Sequence, residues 1–445
     1  MRELRFKGIG GHELSRIHYR DDVPADGLYD RAAVERLLND LYGTNAFESV
    51  TYHMEGHEEP YVLEFDCQKG QTNDFALGIR ADSDETVALI LHYGLGTRRL
   101  TGVRMKADLK LGTNPYLAVD WGTKSRIGLP SYGVVLRSGL LNTQLGWMGN
   151  THERLFYTAL DGYLADSRLK NGSVRIGVTV EMNPYEHYLT VDDMSVGWDW
   201  KSHWLSGFGN LKYDTFDDGY FPTRGVRLSL DSRYVFKGKA IKNRAEDFEW
   251  EDYWDESEEI SSSFARTRSD DEDGQSDGSG PQVPDDFFKA DPINPYGSAM
   301  ASFEAALSLG ENFTILPAAY FGWNFGSVRD MNIRHGVVVG GFMANRYVER
   351  QIPFFGFANG FRDTERITIV PQLDLRYRFL RKNYFTARAG MFKRSDTLSD
   401  ALQINPVWAI GGEYSRQSVA GPLRFAVQWC DITGLTAYAS IGFVF

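Results

Sequence analysis

Ala437-Tyr438-Ala439-Ser440-Ile441-Gly442-Phe443-Val444-Phe445, the last nine residues, alternate outward-apolar and inward-small positions and stop on an aromatic side chain. A soluble strand rarely ends on an exposed Phe. In a transmembrane β-barrel the last strand must close onto the first, because an unpaired backbone N–H or C=O is not tolerated in hydrocarbon. The chain can then stop at the membrane edge.

The same two-residue period runs upstream. In 367–379 the odd positions are Ile367, Ile369, Pro371, Leu373, Leu375, Tyr377 and Phe379, and the even ones include Asp374, Arg376 and Arg378. Val103, Met105, Ala107 and Leu109 alternate likewise with Arg104, Lys106, Asp108 and Lys110, and Leu423, Phe425, Val427 and Trp429 with Arg424, Ala426 and Gln428. Charges of both signs recur on one face of strand after strand, which suits a hydrated lumen laced with ion pairs better than the open face of a sandwich. Pro371 is awkward in such a strand, since it removes a ladder hydrogen bond. About sixteen segments of this kind follow residue 71, an even number as single-chain outer-membrane barrels have. If the first runs outward, the two longest connections, 239–295 and 327–364, both fall on the outer side, where long loops belong.

Composition is compatible with this fold. Mean hydropathy is −0.37 and no apolar run reaches the length of a membrane helix, but a barrel hides its hydrophobicity in alternation. The 45 glycines and 14% aromatics suit a large β-protein with aromatic girdles. Of the net charge of −12, nearly all sits between Lys239 and Tyr296, with 17 Asp/Glu against 6 Lys/Arg. This sign argues against nucleic-acid binding. The segment is expected to be a mobile, solvated outer loop, its Asp270–Gly280 stretch having a disordered composition. Met1-Arg2-Glu3-Leu4 is not followed by an apolar signal region, so the sequence reads as a mature form or part of something longer. Cys67 and Cys430 are far apart, which argues against a disulfide scaffold or thiolate metal site.

Enzymatic chemistry finds little footing. A Gly-x-Ser-x-Gly elbow with the patatin-type Ser/Asp dyad is not expected anywhere in this chain, and His53 and His57, four apart, lie on a strand and the turn after it, where that spacing gives no common face. Neither catalytic residue, metal ligand nor cofactor is expected.

Residues 1–70 read differently. A short strand at Glu3–Ile9, a region 12–18 suited to a short helix, a helix from Asp30 to Tyr42 capped by Asp30 and ended by Gly43, and strands at 47–54 and 61–67 describe a small α+β unit. Ala33, Leu37 and Leu41 share its buried helical face.

Two motifs narrow the reading. Tyr220-Phe221-Pro222-Thr223-Arg224-Gly225 opens the ninth barrel strand; Pro222 fixes φ, Gly225 relieves the bend and Arg224 can satisfy turn carbonyls. Phe354-Phe355-Gly356-Phe357 stands at the tip of the sixth outer loop. With the C-terminal strand, whose Tyr438, Ile441, Phe443 and Phe445 look like the recognition signal of outer-membrane proteins, these features resemble the BamA-type superfamily of assembly and translocation barrels, the bacterial surface antigen family. The unit at 1–70 resembles a POTRA domain. The overall likeness is greatest to the barrel half of patatin-like phospholipase fusions of bacteroidetes.

The resemblance implies a mainly β fold: a roughly 16-stranded antiparallel transmembrane barrel (71–445) behind one small POTRA-like domain in the periplasm. It implies that the sixth loop, 327–364, folds into the lumen. There Phe355 stands where an arginine is expected, so aromatic packing should replace a tip-to-wall ion pair, with Asp374, Arg376, Arg378 and Arg388 facing the loop from the wall. The implied function is insertion or translocation of polypeptides at the bacterial outer membrane, by strand capture at the POTRA-like sheet edge and a weak seam between the first and last strands. Strand sixteen is short and carries Gly442, which weakens closure. The expected partners are outer-membrane lipids and an extended client polypeptide or fused upstream domain; nucleic acid is not among them, and oligomeric state is open. Two alternatives remain: the membrane-anchor half of a phospholipase with its catalytic domain upstream, and a porin-like channel.

Overall fold

The computed structural model describes residues 3–10, 13, 31–43, 46–56, 62–83, 86–97, 102–124, 130–145, 151–166, 171–191, 194–244, 291–328, 331–332, 334–342, 350–357, 361–362 and 366–443. The region 12–18 apart from Glu13, the cap Asp30, the acidic stretch 245–290 and Phe445 lie outside these residues.

The N-terminal unit is a three-stranded sheet with one described long helix. Strands β1 (Glu3–Lys7), β2 (Phe47–Glu55) and β3 (Val62–Lys69) lie in the order β1-β3-β2, with β1 parallel and β2 antiparallel to β3. Helix α1 (Arg31–Gly43) presents Ala33, Val34, Leu37 and Leu41 at helical spacing, all buried. Val34, Leu37 and Leu41 pack with Phe47, Val50, Leu63 and Phe65. Cys67 belongs to this core, and burial, then the Asp66 charge, push its thiol up to about 11. It is a packed apolar residue at neutral pH.

The rest closes into a barrel: β4 (Asp74–Asp82), β5 (Thr86–Leu95), β6 (Gly102–Leu111), β7 (Tyr116–Lys124), β8 (Ser131–Leu145), β9 (Thr151–Asp166), β10 (Gly172–Val191), β11 (Met194–Asp214), β12 (Gly225–Arg244), β13 (Asp291–Ile293), β14 (Tyr296–Leu309), β15 (Phe313–Gly326), β19 (Ile367–Phe379), β20 (Asn383–Ser395), β21 (Val407–Ser418), β22 (Gly421–Cys430) and β23 (Gly434–Gly442). Both β13 and β14 pair with β12, so they form one interrupted strand and the wall is sixteen antiparallel strands around. The numbers β16 (Val338–Val339), β17 (Gln351–Ile352) and β18 (Phe361–Arg362) belong to a miniature sheet in the connection between β15 and β19.

The alternation resolves into two faces. Phe75, Leu77 and Ile79 of β4, Ile176, Val178, Val180 and Met182 of β10, and Phe425, Val427 and Trp429 of β22 are exposed. Their neighbours Arg80, Thr179, Glu181, Asn183 and Gln428 are buried. An apolar outside and a polar, filled inside is the pattern lipid imposes. Phe313 and Phe379 flank Tyr377 at the short-turn end, and Tyr234 stacks on Phe325 toward the other end, as an aromatic belt at each interface would place them.

Proline is tolerated through ladder gaps. Between β19 and β20 the pairing skips Val370 and Pro371, and between β14 and β15 it skips Leu316 and Pro317, so the missing N–H falls where no partner waits. Sequence periodicity places strands at 173–183 and 203–216 and leaves a loop between them. Instead β10 and β11 pair from Gly172–Tyr213 out to Val191–Met194, a hairpin that β9 accompanies to Leu189 and β12 from Trp198. Pro184 and the mixed run after it obscure the period, while the continuous register carries the strand through.

Leu41 has no exposed surface. Leu41→Ala should destabilise the N-terminal unit by about 2–5 kcal/mol and leave the barrel unaffected. Hydrogen exchange of the intact protein should speed up at 31–69 and stay constant in β10 to β12.

Candidate functional site

Three features converge on the lumen and its closure: the seam, the β15–β19 connection and the turn before β12.

Among the described residues the β23–β4 register holds three pairs, Ser440 with Asp82, Ile441 with Ala81 and Gly442 with Arg80, whereas β23 pairs with β22 from Gly434 to Ile441. Ser83 extends the closure with its side chain: the Ser83 amide donates to the Ala439 carbonyl at 3.0 Å, and the Ala439 amide to Ser83 Oγ at 2.9 Å. Gly442 has φ +124, and a Cβ there would lie 2.2 Å from the Ile79 carbonyl oxygen. The glycine therefore permits close backbone approach at the join, a more specific role than the loss of packing its sequence suggests.

The connection 327–366 is anchored to the inner wall twice. At its tip Ile352, Phe354, Phe355 and Phe357 are buried with Val337 and Val339 against Met300, Tyr320, Val370, Phe392, Ala409 and Cys430, inward residues of β14, β15, β19, β20, β21 and β22. Phe357 meets Phe392 edge-on at 5.5 Å. Gly356 is needed there, because a Cβ would stand 2.9 Å from Ala409 Cβ and 3.0 Å from Cys430 Sγ. The Gly356 carbonyl accepts from Thr433 Oγ1 at 2.7 Å, and that of Pro353 from Gln372 Nε2 at 2.5 Å.

The second anchor is ionic and was not foreseen from the sequence. Glu181, fully buried on β10, lies 3.3 Å from His335 Nε2 and 3.7 Å from Arg334 Nη1 of the connection, and 3.1 Å from Arg233 Nη1 of β12. Asn183 Nδ2 donates to Glu181 Oε1 at 2.8 Å. Arg334 lies over the Tyr157 ring of β9 at 3.3 Å, and the Tyr296 hydroxyl is 2.7 Å from His335 Nδ1. Buried Arg350 ties the segment back on itself, donating to the Arg334 carbonyl at 2.7 Å. The available sequence signal was an acid at an inward position of β10 and six basic residues in the loop 327–364.

The predicted wall residues separate. Arg388 lies 3.3 Å from Asp374 and 2.9 Å from Glu413, and its guanidinium sits 5.8 Å from the Phe342 ring of the connection. Arg376 reaches the turn rather than the connection, donating to the Pro222 carbonyl at 3.3 Å. Arg378 is not part of the group: at the strand end it donates to the Glu311 carbonyl at 2.6 Å. Tyr438 shares no face with Ile441 and Phe443, being an odd number of residues away. It points inward and stacks on Phe342 at 4.0 Å and 15°.

The turn 215–224 is organised by two aspartates. Asp218 Oδ1 accepts from the Tyr220 and Phe221 amides at 2.7 and 2.8 Å. Asp217 accepts from the Thr223 amide at 2.7 Å, the Thr223 hydroxyl at 2.5 Å and the Arg224 amide at 3.1 Å. Burial alone would raise the Asp217 carboxyl, but the Thr223 hydroxyl and these amides outweigh it and hold the group below the ordinary Asp value. The exposed Arg224 takes part through its backbone, and Gly225 turns the chain at φ +113. Phe221 is thereby set into the barrel mouth, stacked on Tyr384 at 4.3 Å and 6°.

On the N-terminal sheet His53 Nε2 lies 3.5 Å from Glu55 and 3.9 Å from Glu64, ligand types that suit a divalent cation. His53 and Glu55 are exposed, and Arg5 also approaches Glu55 at 3.9 Å. The Gly-x-Ser-x-Gly spacing does occur once, at Gly274 to Gly278, among Asp- and Ser-rich residues outside the described ones.

A family model described as the OMP85 superfamily matches residues 177–261 and 286–445. No curated protein matches the chain in sequence. Among solved structures, BamA from Haemophilus ducreyi lacking POTRA domains 1–3 is similar over 99% of this chain and 84% of that one, at 11% identity and a TM-score of 0.58. CdiB from Acinetobacter baumannii is similar over 100% and 73%, at 9% identity and a TM-score of 0.49.

Glu181→Ala removes the carboxylate on which Arg233, Arg334 and His335 converge, and should cost about 3–5 kcal/mol. The exchange protection of 334–342 should fall first, and unchanged protection would mean that the aromatic tip alone holds the connection. In the turn, the depressed Asp217 group contributes stability above the ordinary Asp pKa of ~3.9 and loses it only as pH falls through its lower folded value. Amide protection at Thr223 and Arg224 should therefore persist at about pH 4 and collapse below it, and Asp217→Asn should lose the pH dependence.

Proposed function

The chain belongs to the OMP85 superfamily, barrels that insert or translocate polypeptides at the bacterial outer membrane, and we propose that this one acts through its β4–β23 seam. The three-pair register is the observation that carries the reading. Closure by so few backbone hydrogen bonds leaves the β23 edge from Gly434 to Ala437 outside the β4 register among the described residues. A strand edge in that state is a template for another strand. A client segment pairs with it, and the seam parts to let the segment enter the bilayer or pass outward.

The N-terminal unit is a POTRA-like domain that faces the periplasm and delivers the segment. Its sheet order leaves β2 at an edge, with Tyr52 and Met54 exposed, and strand addition at such an edge binds extended peptides through the main chain. A porin-like channel is disfavoured by the connection packed into the lumen.

Ala81 and Ile441 are register partners, and cross-strand Cα separations of ~4.5–5.5 Å fall in the range a disulfide spans. The double variant Ala81→Cys, Ile441→Cys should, when oxidised, slow insertion of a radiolabelled outer-membrane barrel into proteoliposomes by at least about ten-fold, ~1.4 kcal/mol. Reduction should restore it. Full activity in the oxidised barrel would overturn the mechanism.

A further inference from the structure

Between the tip of the β15–β19 connection and the turn 215–224 the lumen holds a cavity of about 390 Å³. Its lining combines apolar Phe342, Phe355 and Leu316 with Arg376, Arg388 and Arg424. The three guanidiniums differ in their partners. Arg388 occupies both neighbouring carboxylates, Asp374 at 3.3 Å and Glu413 at 2.9 Å. Arg376 gives one hydrogen bond, to the Pro222 carbonyl, and its buried Nε has none. Arg424 has no hydrogen-bond or ion-pair partner among the described residues, and its Nε is buried as well. Both guanidiniums lie against the Phe221 ring, at 5.6 and 6.0 Å from its centroid. Arg227 and Glu304, which also line the cavity, pair with each other at 3.6 Å, so Arg376 and Arg424 are left without a carboxylate partner of their own among the described residues, an arrangement that an added anion relieves.

We propose that this cavity binds a small amphiphilic anion, a carboxylate or phosphate monoester on an apolar body. The head group takes the free donors of Arg424 and Arg376, and the body lies against Phe355 and Phe342. The volume is near the lower end of ligand pockets, ~300–1,000 Å³, which favours a compact, single-tailed molecule. Because Phe355 belongs to the connection and Tyr220, which also lines the cavity, to the turn, an occupant touches both. It would bind the luminal plug to the short-turn end of the barrel. The site stands independently of the seam, so failure of one leaves the other.

Calorimetric titration of the full chain in zwitterionic nanodiscs tests this, using hexyl phosphate, hexanoate and inorganic phosphate, with empty nanodiscs as blank. The expected result is saturable binding of one hexyl phosphate or hexanoate per chain, the tighter of the two identifying the head group. Inorganic phosphate should bind at least ten-fold more weakly. Arg424→Gln should weaken hexyl phosphate binding at least ten-fold, and Arg424→Lys, which keeps the charge, by less. Arg378→Gln, outside the cavity, should leave it unchanged. Absence of saturable binding, or equal binding in the Arg424→Gln and parent proteins, would overturn the proposal. Equal affinity for inorganic phosphate and hexyl phosphate would overturn the apolar half of the site.

Discussion

Every backbone donor and acceptor in the membrane-embedded wall has to find a partner within the protein, because lipid offers none. That constraint makes the sheet close, and closure places β23 beside β4 although they are separated by the whole length of the barrel in sequence. It also divides the side chains. Outward positions are left to lipid, while inward ones enclose a space that must be filled or hydrated. Among the described residues the seam satisfies the rule with three pairs, the Ser83 side chain standing in for a fourth, and Gly442 letting the backbones meet.

Filling the interior falls to the connection between β15 and β19, and its two anchors do different physical work. The tip contributes most of the free energy. Burial of Phe354, Phe355, Phe357 and Ile352 is favourable by ~1.5–3 kcal/mol for each side chain, and inside Gly356 there is no room for a Cβ. The Glu181 cluster adds less net stability, since desolvating a carboxylate and several cations offsets much of their attraction. Its contribution is position: buried Glu181 fixes where Arg334 and His335 meet the wall. An arginine at the tip would have found its wall acids already taken, because Arg388 holds Asp374 and Glu413. An aromatic tip is the consistent solution.

Much of the fold was legible because lipid enforces a strict period. The odd and even residues of 367–379 announce their faces, and strand number follows from repetition of that pattern. The aromatic character of the sixth-loop tip was likewise readable. What escaped depends on partners distant in sequence. Glu181 looks like any inward acid until the barrel closes and brings Arg334 and His335 to it, 153 and 154 residues on. The turn motif drew the eye to Arg224, yet Asp217 and Asp218 do the capping through short-range bonds to main-chain amides. Tyr438 was grouped with its aromatic neighbours by type, when parity along the strand put it on the other face. The 184–202 hairpin was hidden because a proline interrupts the period that its pairing continues.

The distribution of anchors gives the barrel an asymmetry. The connection is tied to β9 through Tyr157, to β10 through Glu181, to β14, β15 and β19 to β22 through the aromatic cluster, and to β23 through Tyr438. None of these anchors lies on β4 to β8. Among the described residues the backbone of those five strands meets the rest of the wall along the β8–β9 ladder and the three-pair seam, and side chains add Tyr163 of β9 to Asp120 of β7 and Arg104 of β6, and Arg175 of β10 to Asp120. Among the described residues, parting the seam would therefore break little backbone pairing and none of the named plug contacts. Among the described residues, opening the wall at the seam and emptying the lumen would call on different contacts. That separation is what a barrel needs if it is to admit a strand from the side without becoming a pore.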